Sequence, residues 1–98
     1  MLYTIPLSAT PAQKTAVTIN EQDITVSLHT MLRRLYADVQ LNNQHIIRNR
    51  ICLNNTPLIN EAWRGLNGEL YFIDTQGQNN PQWQELGSRF ILVYQDGY

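Results

Sequence analysis

Hydrophobic and polar residues alternate with a period of two along most of this chain. From Ile24 to Thr30, the residues Ile24, Val26 and Leu28 share one face while Thr25, Ser27 and His29 share the other. That is the pattern of a strand with one face on a core and one in water. Thr15 to Ile19 alternates in the same way, and Asn20-Glu21-Gln22-Asp23 between the two reads as a four-residue turn closing a hairpin. Leu35, Ala37, Val39 and Leu41 then alternate with Tyr36, Asp38 and Gln40. Leu28, Met31, Leu32 and Leu35 also fit a helical stripe, but the stretch is too short to offset the cost of nucleating a helix. Met31 to Arg34 is therefore read as a turn between strands.

Asn42-Asn43-Gln44 is the next turn, because Asn tolerates left-handed backbone conformations. His45 to Leu53 follows as a strand with Ile47, Asn49, Ile51 and Leu53 on one face and Ile46, Arg48, Arg50 and Cys52 on the other. Asn54 to Pro57 breaks it. Leu58, Ile59, Ala62, Trp63 and Leu66 have helical spacing, but Pro57 and Gly65 limit this to a short helix or an irregular segment over one end of the core. At the N-terminus, Leu2 to Leu7 opens as a strand that Pro6 confines to an edge or a strand end, since proline cannot donate to a ladder. Ser8 to Gln13 reads as loop.

The last third, Gly68 to Tyr94, organises the rest. Glu69 to Asp74 and Arg89 to Tyr94 are two strands rich in aromatic and β-branched residues. Thr75 to Ser88 between them suits neither a tight turn nor a helix, and a loop of this length in a small domain is commonly functional. About seven strands with Asn- and Gly-rich turns predict an all-β fold: a single-domain antiparallel sandwich or small barrel with one long loop before the last strand.

The chain has 98 residues, which sets the expectation of one domain covering residues 1–98. Charged residues make up only 15% of it, below the usual share of about a quarter, and the net charge is −1. Ten Asn and nine Gln supply neutral donors and acceptors instead. Sparse charge and abundant amides favour a subunit that meets neighbours in an assembly over a free monomer. No apolar run approaches the length of a membrane span, and no basic segment precedes an apolar one as in an export signal.

Candidate chemistry is thin. Cys52 is the lone cysteine, so an intrachain disulfide is excluded, and it reads as a small buried hydrophobe. His29 and His45 have no second ligand at metal-binding spacing. Asp74 and Glu85 flank the long loop as a conceivable carboxylate pair, but an Asp at a strand end more often caps a turn. Ser8, Ser27 and Ser88 lie in no nucleophile elbow, and no phosphate-binding glycine loop is present. No catalytic residue, metal site, cofactor or small-molecule substrate is expected. Two binding classes stay open beside the assembly reading. Arg48 and Arg50, placed on one outward face, suit a barrel that binds single-stranded nucleic acid, although a slightly acidic chain argues against a backbone-tracking groove. Trp63 and Trp83 among many amides suit a carbohydrate-binding β domain.

Leu70-Tyr71-Phe72-Ile73-Asp74-Thr75-Gln76-Gly77 followed by Glu85-Leu86-Gly87-Ser88-Arg89-Phe90-Ile91-Leu92-Val93-Tyr94 resembles the closing pattern of the small plug proteins of contractile-tailed bacteriophage baseplates: a strand ending in Asp-x-x-Gly, then a Leu-Gly-x-Arg lead into the last strand. The resemblance runs end to end, through Ile5-Pro6-Leu7, the hairpin Val17 to Leu28 and the strand Leu35 to Val39. It implies a non-enzymatic virion protein of the tail baseplate, present in the host cytoplasm during assembly. Such a protein would close the central channel by steric occlusion beside hub and tail-tube proteins and be displaced on infection. Within this pattern Asp74, Gly77, Gly87 and Arg89 are expected to structure the loop: the two glycines through positive φ, and Arg89 by pairing with Asp74 or Glu85. The loop's amides Gln78, Asn79, Asn80, Gln82 and Gln84 around Trp83 are the expected partner contact.

Overall fold

The computed structural model describes residues 2–19, 21–59 and 68–95. Seven strands form two antiparallel sheets, β1 (Leu2–Ile5), β2 (Ala12–Ile19), β3 (Gln22–Met31), β4 (Arg34–Leu41), β5 (Gln44–Ile51), β6 (Glu69–Asp74) and β7 (Phe90–Gln95). The first sheet is a meander of four strands in the order β2-β3-β4-β5, and the second has three strands in the order β1-β7-β6. They face one another as a sandwich that does not close into a barrel. The core is a continuous cluster between them. Ile24, Val26 and Leu28 of β3, Leu35, Ala37 and Val39 of β4 and Ile47 of β5 meet Ile5, Leu70, Phe72, Phe90, Leu92 and Tyr94. Alternation puts these residues inward, and burying each large side chain stabilises the fold by about 1.5 to 3 kcal/mol.

β1 stops at Ile5, immediately before Pro6, and lies at a sheet edge as proline requires. β2 starts at Ala12, earlier than the alternation indicates, so Ala12 and Gln13 belong to the strand rather than to the loop. The opposing sheet is narrower by one strand, which leaves the inward-facing Gln13, Thr15 and Val17 of β2 only half-buried.

The turns are tighter than the sequence reading. Ile19 pairs with Gln22 and Thr18 with Asp23, so the first hairpin turns over two residues instead of four. The hydroxyl of Thr18 donates to Asp23 Oδ1 at 2.8 Å across the last rungs. Met31 likewise pairs with Arg34, leaving Leu32 and Arg33 as the whole turn, with φ of 50° and 65°. Asn42 and Asn43 form the third turn with φ of 50° and 69°. A two-residue hairpin needs positive φ at its central positions so that its twist matches the strands. Asn occupies that region readily; for Leu and Arg it costs about 1–2 kcal/mol each.

β5 departs from strict alternation. Its register against β4 shifts between Ala37 and Val39 and again between Val39 and Gln40, and Asn49 has φ of 52°. The extra residues are β-bulges, and the backbone N–H of Asn49 is held by Asp38 Oδ1. Asn49 therefore does not share a face with Ile47, and Arg48 and Arg50 do not share an outward face. Arg50 pairs with the inward-facing Ala37, and its guanidinium donates to the carbonyls of Leu58 and Ile59 at 3.1 Å each. Arg50 is thereby tied to the backbone, while Arg48 stays exposed.

Leu58 and Ile59 are buried beside β6, with the Leu58 N–H donating to the Leu70 carbonyl at 2.9 Å. The remainder of the expected short helix, including Trp63, lies outside the described residues, as does Asn20. Cys52 is buried at 2% exposure, and burial pushes its thiol up to about 12, so it is a packing residue rather than a nucleophile.

Candidate functional site

The segment between β6 and β7 is pinned rather than loose. Asp74 ends β6, and Arg89 immediately precedes β7. Arg89 Nε donates to Asp74 Oδ1 at 2.8 Å and Arg89 Nη2 to Asp74 Oδ2 at 2.9 Å, a bidentate pair that fixes both planes. The same carboxylate accepts the backbone N–H of Gln76 and of Asn79, each at 2.9 Å. One side chain therefore caps the loop's first turn and clamps its two ends. The Arg89 carbonyl accepts from both the backbone N–H and the hydroxyl of Thr75. Glu85 lies 3.9 Å from the same guanidinium, at the edge of ion-pair range.

The Arg89 guanidinium holds the Asp74 carboxyl well below its ordinary value of 3.8, with the N–H groups of Asn79 and Gln76 assisting against the opposing effect of burial. A carboxylate with a depressed folded pKa stabilises the folded chain fully above its unfolded pKa and loses that contribution as pH falls toward the folded one. Wild type is thus expected to lose melting temperature steeply below about pH 4. Asp74→Asn should be the less stable protein at neutral pH and lose less on acidification, so that the two profiles converge. Parallel pH profiles would show that the clamp contributes nothing.

Gly87 has φ of +85°, and its N–H donates to the Phe90 carbonyl at 2.8 Å. Gly77 does not adopt positive φ; it lies against the clamp, where an added Cβ would meet Arg89 Nη2 and Asp74 Oδ2 at 3.4 Å. Gly77 is thus excluded from the conformational role expected of both glycines, and an added Cβ there would touch the ion pair only at ordinary contact distance.

Beyond the clamp the loop spreads across one end of the sandwich. Pro81 and Leu86 are buried, and a single 3₁₀ turn, Trp83–Glu85, lies between them. Gln78, Asn79, Asn80, Gln82 and Gln84 are exposed. Trp83 is half-buried: it packs on the core and also lines a cleft with Thr30, Arg33, Leu35, Gln82 and Gln84. Its indole therefore contributes to two surfaces, the core and the cleft.

Asn54 is an anchor that the sequence reading missed. Its Oδ1 accepts the Asp74 N–H at 2.9 Å, and its own N–H donates to Asn80 Oδ1 at 3.0 Å. Read only as a strand breaker, Asn54 gave no local signal of contacts this distant in sequence. His29 and His45 stand apart: His29 stacks on Tyr36 and bonds Asn49 Oδ1, while His45 bonds Gln40. Among the described residues, no group of three or more His, Cys, Asp or Glu is placed to hold a metal ion.

Fold and site together define a β-sandwich whose distinctive feature is a clamped, amide-rich loop at one end. The family model described as "Cyanophage baseplate Pam3 plug gp18" matches residues 2–97, and the chain belongs to that family of phage baseplate plug proteins. It is a structural component of the virion tail baseplate, part of a larger assembly. No curated protein matches it.

Proposed function

We propose that the chain acts as one non-enzymatic domain that closes the central channel at the tail tip by steric occlusion and is displaced on infection. The observation that carries this is the family match across nearly the whole chain. The dimensions are compatible with it: the described Cα positions span 31 × 24 × 20 Å, so a few copies would obstruct a passage wide enough for duplex DNA. Hub and tail-tube proteins are the proposed neighbours, and the loop residues Gln78, Asn79, Asn80, Gln82, Trp83 and Gln84 are the proposed contact. Electron cryomicroscopy of intact and contracted virions tests the mechanism. Density for this chain is expected across the axial channel before contraction and absent from it afterwards; density off the axis, or unchanged after DNA release, would refute occlusion.

Trp83→Ala tests the contact. Removing a half-buried indole should lower stability by about 2 kcal/mol, and the folded protein should also bind more weakly to baseplates assembled without this chain. Normal binding by the folded fraction would leave Trp83 as a core residue alone.

A further inference from the structure

The most exposed apolar side chain among the described residues is not in the amide-rich loop. Leu32 is 94% exposed, and its neighbour Met31 is 44% exposed; the other large exposed apolar residue, Leu2, is in β1. Leu32 and Arg33 are the two turn residues of the β3–β4 hairpin, both with positive φ. The hairpin between β4 and β5 makes the same kind of turn with Asn42 and Asn43, which occupy that conformation at little cost. The fold thus contains its own comparison: turn geometry alone selects Asn, and the Leu32-Arg33 turn keeps a strained pair that also exposes an apolar side chain. Local strain retained at an exposed position points to function.

Arg33 and Arg34 complete the tip. Both are exposed, and among the described residues no carboxylate pairs with either. Two of the chain's seven basic residues therefore stand together and unneutralised, although the net charge is −1. The tip is continuous with the loop end of the molecule, since Arg33 lines clefts with Trp83 on one side and with Asn80, Pro81 and Gln82 on the other.

We infer that Met31-Leu32-Arg33-Arg34 is a docking knob, with Leu32 entering an apolar socket on a neighbouring baseplate protein and Arg33 and Arg34 meeting carboxylates on its rim. An apolar centre with a polar rim is a common interface anatomy, and unpaired cations favour an acidic partner surface. The inference rests on membership of a baseplate assembly and not on channel closure or on the loop contact.

The test uses purified baseplates assembled without this chain as the probe, with binding and melting temperature measured for each variant. Leu32→Asn combined with Arg33→Gly installs a relaxed turn, so the melting temperature should be unchanged or raised while affinity falls at least about tenfold. Arg33→Glu combined with Arg34→Glu, both at exposed positions, should give a similar loss, and wild-type binding should weaken as salt increases. Wild-type affinity in either double variant overturns the inference, as does a lowered melting temperature in the first, which would make the turn residues structural. A wild-type homodimer that Leu32→Asn dissolves also overturns it, by making a second copy the occupant. Tip variants that bind normally while Trp83→Ala does not would leave the loop contact standing alone. The converse result would retain the tip and remove the loop.

Discussion

Gly87→Ala is expected to lower the melting temperature by about 10 to 20 °C. A Cβ at this position would lie 2.4 Å from the Leu7 carbonyl oxygen and 3.3 Å from its carbon, both backbone atoms that no rotamer change can move. The φ of +85° adds the ordinary penalty for an L side chain in the left-handed region. Relief would require the chain to shift where Leu86 enters the core and where the Gly87 N–H reaches Phe90. Together these effects amount to about 3 kcal/mol. Gly77→Ala is the control, because its nearest neighbours stand at ordinary contact distance and its φ is outside the left-handed region. Thermal melts of the two variants side by side should differ widely. Equal small shifts would show that the approach of Leu7 to Gly87 is not constraining.

Phe72→Ala should cost about 3 to 5 kcal/mol. Phe72 is 1% exposed on the strand that faces the meander, and its backbone also ties the 54–55 segment to the sheet: its carbonyl accepts the Asn55 N–H at 2.7 Å. Removing the ring leaves a void between two sheets that cannot collapse independently. Urea titration should show a lower midpoint with an unchanged slope. Phe72→Leu retains most of the volume and should cost less than about 1.5 kcal/mol. A loss from Phe72→Ala of under about 1 kcal/mol would mean that the sheets close over the gap, contrary to the packing described.

The strands that face both core and solvent were the most legible part of the chain. Ile24-Val26-Leu28 and Leu35-Ala37-Val39 alternate because each side chain answers to only one environment. β5 was misread after Ile47 because bulges leave no hydrophobic signature, and Asn49 looks like any polar strand residue until its φ is known. The Leu32-Arg33 turn was placed correctly but its tightness was hidden, since neither residue carries the Gly or Asn that normally marks positive φ. At the loop, the resemblance drew attention to Asp74 and Arg89, and their chemistry suffices to explain the pairing. What it could not convey is that Asn54 arrives from another part of the chain, or that Trp83 packs on the core while lining a cleft. Such contacts follow from tertiary placement. Gly77 shows the limit from the other side: a glycine in a turn-rich stretch suggests backbone freedom, yet its φ lies outside the left-handed region and a Cβ would fit there.

The irregularity of β5 bears on how copies of this protein can meet. A sheet that extends from molecule to molecule needs two edges with evenly spaced donors and acceptors, one to offer and one to receive. β2 has such an edge, in uninterrupted register with its neighbour along its whole length from Ala12 to Ile19. β5 does not, because its bulges and the left-handed Asn49 put its outward groups out of step with any incoming strand. Through the meander, two copies can join β2 to β2 as a closed pair, but a third has nowhere to add. Extension of the meander from copy to copy therefore stops at β5.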